Sequence, residues 1–82
     1  MKPIIHLNGT SKEDLLQQYL DAGHAIEAAL RAMAKASPNG RDYYPLGPDA
    51  FRAAQDRWET LMRNVREAYQ ECQVTAEHVA DQ

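Results

Sequence analysis

Two series of apolar residues, each advancing alternately by three and four positions, constrain the fold of this chain more than any other feature. The first comprises Leu16, Tyr19, Gly23, Ile26, Leu30 and Met33, and the second comprises Phe51, Ala54, Trp58, Leu61, Val65, Ala68 and Cys72, with Val79 further on in phase. This spacing places each series on one face of an α-helix, in the heptad pattern of helices that pack lengthwise. The sequence therefore predicts two long helices.

Start and stop signals mark the ends of both predicted helices. Thr10 and Glu13 form a predicted capping box at the start of the first helix. Ser37-Pro38 ends that helix, because the residue before a proline is pushed out of the α region. Gly47-Pro48-Asp49 begins the second, since proline at the first helical position loses no needed hydrogen bond. The predicted organisation is an arm over residues 1–9, a helix over 11–36, a loop over 37–48 and a helix over 49–80.

The chain is expected to form one small all-α domain, residues 1–82, with the two helices arranged as an antiparallel hairpin. We expect the N-terminal arm to be extended, since the chain offers no second strand to pair with it, and its Ile4, Ile5 and Leu7 to cover Val74 and Val79. Gly23 costs up to about 1 kcal/mol relative to alanine within a helix, and a close helix crossing there would explain its presence. Two helices enclose no core by themselves, so we expect an oligomeric helical bundle.

Composition excludes several classes of partner. Nine Lys and Arg against twelve Asp and Glu give a net charge of −3, which speaks against binding to a nucleic acid polymer. No apolar run approaches the ~20 residues that span a bilayer, so we expect no membrane partner. The single cysteine, Cys72, rules out an intrachain disulfide and favours a cytoplasmic location.

Catalytic signals are absent from the sequence. None of His6, His24 and His78 has a second ligand at metal-binding spacing, and no nucleophile motif is present. Cys72 falls on the apolar face, where a buried, inert thiol is expected. We therefore expect neither an enzyme nor a cofactor or metal site.

The predicted loop carries the candidate binding residues. Arg41 offers a planar fork for phosphate or carboxylate, and two tyrosines offer flat faces and hydroxyl groups. One interpretation is a site for a small anionic or nucleotide-like ligand, completed by a second protomer. The other is that the tyrosines plug the end of the bundle while Arg41 pairs with Asp42 or Asp49. The candidate ligand-binding residues are Asn39, Arg41, Asp42, Tyr43 and Tyr44.

Two short motifs carry a resemblance to known proteins. The opening I-H-L-N-G-T and the loop N-G-R-D-Y-Y-P resemble those of short helical proteins of unknown function encoded by bacteriophages. In size and helical-hairpin build the chain is also similar to the anti-CBASS phage sponges, small oligomers that sequester cyclic-nucleotide immune signals between protomers. This second resemblance is one of architecture and carries over no ligand-contacting residue.

These observations lead to a function hypothesis with two alternatives. The chain is expected to be a non-catalytic oligomeric binding protein, and the second resemblance implies a phage anti-defence sponge that sequesters a nucleotide-type immune signal. One alternative is a protein-interaction module or inhibitor that docks onto a host or phage protein. The other is a structural assembly protein.

Overall fold

The computed structural model describes all 82 residues and contains no strand, so the prediction of an all-α chain is confirmed. The elements are α1 (Lys12–Lys35), α2 (Gly40–Tyr43), a 3-10 turn (Tyr44–Leu46) and α3 (Pro48–Ala80). The two long helices, α1 and α3, lie against each other in a rod of 61 × 17 × 17 Å. No helix combines the length and the apolar character that crossing a membrane would require.

Contacts between the two long helices pair late residues of α1 with early residues of α3. The Trp58 indole Nε1 donates to the Met33 carbonyl oxygen at 3.0 Å, near the end of α1. Closer to the start of α1, the Tyr69 hydroxyl donates to the Glu27 carboxylate at 3.1 Å. Since the partner numbers rise along α3 as they fall along α1, the two helices run in opposite directions.

The start of α1 differs from the predicted capping box by one residue. The Ser11 Oγ accepts from the Asp14 amide at 3.2 Å, so Ser11 is the N-cap and the prediction for Thr10 was wrong. Serine is at least as good an N-cap as threonine, and its use leaves Glu13 and Asp14 in the first turn. Negative charges there are stabilised by the helix dipole.

The N-terminal arm is extended and lies along the last turns of α3. The Thr75 hydroxyl donates to the Met1 carbonyl oxygen at 3.1 Å, and His78 Nε2 donates to the Pro3 carbonyl oxygen at 3.2 Å. The Gln82 side-chain amide also donates to the Pro3 carbonyl oxygen, at 2.9 Å. The arm therefore satisfies its backbone carbonyls with side chains of α3 instead of with another strand.

The arm covers a different part of α3 from the one predicted. Val79 is fully buried, as expected, but Val74 remains 50% exposed, so the prediction for Val74 was wrong. The prediction that Ile4 and Leu7 of the arm pack over α3 was also wrong, because they are 75% and 97% exposed. The other buried residues of α3 are Thr75 and Ala76. These lie four and three residues before Val79 and share its face, whereas Val74 is rotated about 140° away from Val79 around the helix.

The segment predicted as a loop over 37–48 contains two helical turns. The Asn39 side chain accepts from the Arg41 amide at 2.9 Å and caps α2, which the turn-like pair Asn39-Gly40 did not predict. The 3-10 turn follows directly, and α3 begins at Pro48, one residue earlier than predicted. The connection between the long helices is therefore a folded element.

Gly23 is the buried residue of α1, yet the helix crossing there leaves room for a methyl group. A Cβ at this position would lie 3.8 Å from Tyr69 Cε1 and 4.0 Å from Cys72 Cβ, which is ordinary van der Waals contact. Gly23→Ala is therefore expected to raise the free energy of unfolding by about 0.5–1 kcal/mol, because alanine favours helix. Urea denaturation followed by circular dichroism measures the change.

Gly47→Ala is the matched control, since the same substitution at this position should lower the free energy of unfolding instead of raising it. Gly47 joins the 3-10 turn to α3 with φ 92° and ψ 166°, a conformation that residues with a Cβ rarely adopt. No atom lies within 4 Å of its Cβ position, so the expected loss of about 1 kcal/mol is conformational. Equal destabilisation by both substitutions would contradict the geometry at Gly23.

Candidate functional site

An apolar cleft opens in the tip of the helix pair, the segment 37–48 that joins α1 to α3. Its volume is about 280 Å³. Pockets for drug-sized ligands usually measure about 300–1,000 Å³, so this cleft matches a single ring or one apolar side chain. The lining residues are Gly40, Tyr43, Tyr44, Gly47, Pro48 and Phe51.

Local geometry builds the cleft from two aromatic residues on different elements. Tyr43 ends α2, and its ring centroid lies 6.1 Å from that of Phe51, with the ring planes tilted by 41°. Helical side chains lean towards the N-terminus, so Phe51 in the first turn of α3 reaches back to the tip. Gly47 redirects the backbone between these rings through its positive φ. The tip is thus fixed to α3 by aromatic packing.

Two large side chains of the 3-10 turn stand in solvent beside the cleft. The exposed fraction is 86% for Tyr44 and 71% for Leu46. Tyr44 also lines the cleft, so one ring contributes both to its wall and to its outer surface. A cleft bordered by exposed apolar side chains is typical of an interaction site.

The charged residues of the tip are free of intrachain salt bridges. Arg41 and Asp42 are exposed on α2, and neither forms a salt bridge. Asp49 lies 3.8 Å from Arg52 on the first turn of α3, in an exposed pair. Pairing of Arg41 with Asp42 or Asp49, one of the sequence-based alternatives, is therefore not what the structure contains. The Arg41 guanidinium remains available to a ligand.

The five candidate residues have different positions at the tip. Tyr43 and Tyr44 line the cleft, Asn39 caps α2, and Arg41 and Asp42 lie outside the cleft lining. The ligand-binding role of all five stays a prediction. Sequence reasoning missed four lining residues, although the pair Gly47-Pro48 one turn before an aromatic residue was the available signal. These residues are Gly40, Gly47, Pro48 and Phe51.

A polar cluster joins the two long helices away from the tip. Arg31 and Tyr69 both donate to the Glu27 carboxylate, at 3.0 and 3.1 Å, and Gln73 donates to the Tyr69 hydroxyl at 3.1 Å. The bonds from Arg31 and Tyr69 lower the pKa of Glu27, and the carboxylate raises the pKa of Tyr69. A carboxylate whose pKa is lowered in the folded state stabilises the fold at pH values above the ordinary pKa of the group. This contribution is lost as the pH falls and Glu27 becomes protonated. The cluster connects the helices.

Other candidate chemistry is sparse. No group of three or more His, Cys, Asp or Glu residues is placed to hold a metal ion. Cys72 is a free, half-buried thiol beside Gly23, and His78 is engaged with the arm. The tip cleft is therefore the candidate site, because it is the concavity that two of the sequence-predicted binding residues line.

Comparison of the chain with protein-family models, with characterised proteins and with solved structures finds no match.

Proposed function

We propose that this chain is a non-catalytic binding protein that works as an oligomeric helical bundle of hairpins and binds its partner at the tip. The observation that supports the proposal is the apolar cleft with Tyr44 and Leu46 exposed beside it. Aromatic and aliphatic groups next to a preformed concavity are the usual anchors of protein interfaces. Because Tyr43 packs on Phe51, the cleft is formed before a partner binds.

The chemistry of the cleft favours an interaction module that docks onto another protein. Its lining is largely apolar, with the Tyr43 and Phe51 rings in contact, and it accepts a group the size of one side chain. Tyr44 and Leu46 widen the contact area around that group. A leucine, phenylalanine or similar side chain of the partner would fill the cleft, while these two residues exclude water around it.

A sponge for a nucleotide-type signal is the second candidate, and the unpaired Arg41 supports it. A base stacked on the tyrosines would leave its phosphate near the Arg41 guanidinium and near the free amides at the start of α3. A whole cyclic dinucleotide exceeds the cleft volume, so this candidate requires a second wall from another protomer. The two candidates share the tip and differ in the ligand.

Tyr44→Ala is the variant that tests the tip. Because Tyr44 is exposed, the change is expected to alter the free energy of unfolding by less than about 0.5 kcal/mol. In affinity capture from a lysate of the cells in which the chain is naturally produced, a wild-type bait should retain a partner protein. The Tyr44→Ala bait should retain at least tenfold less of that protein. Leu7→Ala is the matched control, an exposed apolar side chain in the arm, and should retain it. Equal capture by all three baits would contradict the proposal.

Arg41→Ala separates the two candidates. Mass spectrometry of small molecules released from denatured protein, followed by thermal shift with cyclic nucleotides, detects a sponge whatever the identity of its ligand. Loss of the arginine contact should weaken such binding by roughly 1.5–3 kcal/mol, about 10- to 150-fold. A docking module gives no thermal shift with any cyclic nucleotide, and its protein capture is less sensitive to Arg41 than to Tyr44.

A further inference from the structure

The molecule has three concavities: the tip cleft, a groove beside Trp58, and a groove beside Leu16 and Leu20. All three border one stripe of α3, which we term the open stripe. Its members are separated by three, four or seven residues, so they share a face over about 48 Å of helix. The N-terminal arm, by contrast, lies over Thr75 and His78, on another face. The open stripe comprises Pro48, Phe51, Gln55, Glu59, Met62, Arg66, Gln73, Glu77 and Ala80.

The single chain exposes more surface to solvent than a compact folded monomer of the same mass. Its accessible surface is 6133 Å², against about 5,000 Å² expected for a folded chain of 9.3 kDa. Its radius of gyration is 18.2 Å, whereas a compact chain of this length has about 12 Å. The excess of roughly 1,100 Å² exceeds the ~800 Å² that each partner contributes to a standard interface. The area available is therefore sufficient for a stable dimer.

The charges of the open stripe are complementary to themselves. Glu59 and Arg66 lie three residues before and four residues after the half-buried Met62, are exposed, and form no salt bridge within the chain. If two copies of α3 pack antiparallel with a two-fold axis beside Met62, each Glu59 meets Arg66 of the other copy. A parallel arrangement would instead place like charges together. Of the two orientations of a second copy, the antiparallel one therefore pairs both residues at once.

We propose that the open stripe is the docking surface for a second copy of this chain, packed antiparallel about a two-fold axis beside Met62. Met62 lies near the middle of the 33-residue α3, so the two helices overlap along most of their length. Met62 of the second copy enters the groove that Trp58 and Met62 line, and the Glu59–Arg66 pairs fix the register. The charge pattern of the open stripe therefore favours a second copy of this chain as the partner.

The dimer adds a second wall to the tip cleft, a consequence that rests on the proposed function. Pro48 and Ala76 lie equally far from Met62, about 21 Å along the helix in opposite directions. The two-fold axis thus brings the tip of one copy beside the groove that Leu16, Leu20 and Ala76 form on the other. A ligand larger than one ring would lie between these two surfaces.

A charge reversal and its compensation test the dimer. Sedimentation velocity at micromolar concentration should give wild-type protein twice the 9.3 kDa of the chain. Arg66→Glu should weaken association at least tenfold, and the double variant Glu59→Arg, Arg66→Glu should restore it with inverted pairs. Arg63→Glu is the matched control, because Arg63 is an exposed arginine of the same helix outside the open stripe. It should leave the mass unchanged.

Each of the following results overturns the proposal: a wild-type mass other than twice that of the chain, a dimeric Arg66→Glu protein, an equal effect of Arg63→Glu, or no recovery in the double variant. Circular dichroism verifies that every variant keeps its helices, as exposed substitutions should. Partner capture at the tip is a separate readout. A dimer that fails to capture a partner contradicts binding at the tip and leaves the dimer standing. A monomer that captures one contradicts the dimer and the oligomeric part of the proposed function, and leaves binding at the tip standing.

Discussion

Replacing Val79 by asparagine is expected to lower the free energy of unfolding by about 3 kcal/mol. Val79 is fully buried where the arm crosses the last turns of α3, next to Thr75 and Ala76. Asparagine is similar in size, but its side-chain amide would lose its hydrogen bonds to water and find no hydrogen-bond partner in this site. The substitution also loses the free energy gained by burying the valine methyl groups. A chain of this size has only about 5–10 kcal/mol in total, so the loss is large.

Val79→Ala is the control, because it removes volume without adding a polar group. Its expected loss is about 2 kcal/mol, smaller than that of asparagine. Urea denaturation gives both values, and amide hydrogen exchange reports whether the arm is released. The Ile5 amide donates to the Gln82 side chain at 2.9 Å and should exchange faster in the asparagine variant. A loss below about 1 kcal/mol for Val79→Asn would show that the arm does not seal this site.

Trp58→Ala is expected to lower the free energy of unfolding by about 2–3 kcal/mol. The indole ring is half-buried beside the end of α1, and its Nε1 donates to the Met33 carbonyl oxygen. Removing a large aromatic side chain from a core costs about 3–5 kcal/mol, and partial exposure lowers that range. The variant also removes one of the two hydrogen bonds that the Met33 carbonyl oxygen accepts near the end of α1, and leaves the other, from the Ala36 amide at 3.1 Å.

Trp58→Phe separates the packing of the ring from its hydrogen bond. The phenylalanine keeps most of the apolar contact but has no donor for the Met33 carbonyl, so the expected loss is about 1 kcal/mol. Thermal and urea denaturation of the two variants provide the comparison. If both lose the same free energy, the hydrogen bond rather than ring packing holds α3 to the end of α1.

The helical plan of the chain follows from its sequence, because apolar spacing and proline positions act locally. The heptad series predict both long helices, and Ser37-Pro38 and Gly47-Pro48 place their inner ends within one or two residues. The N-cap was displaced from Thr10 to Ser11 because adjacent residues offer nearly equivalent caps. Errors of this size leave the helix faces unchanged.

The tip was less predictable, because its structure depends on contacts between separate elements. Asn39-Gly40 is compatible with a turn or a helix start, and α2 forms with the Asn39 cap in place and Tyr43 packed on Phe51. Phe51 was assigned to the heptad series alone, since spacing does not show that a first-turn residue also reaches the tip. The burial of Thr75 in place of Val74 likewise depends on the path of the arm.

The central claim is that the tip cleft accepts one ring or apolar side chain, and an NMR titration tests it most directly. Indole is the probe for the apolar cleft, and adenosine monophosphate adds a phosphate for Arg41. Indole is expected to bind with a dissociation constant on the order of 1 mM, as its size allows. The amide signals of Gly40, Tyr43, Gly47 and Phe51 should shift in wild-type protein and remain still in Tyr44→Ala. Shifts confined to other parts of the helix pair, or equal shifts in both proteins, would contradict the assignment of function to the tip.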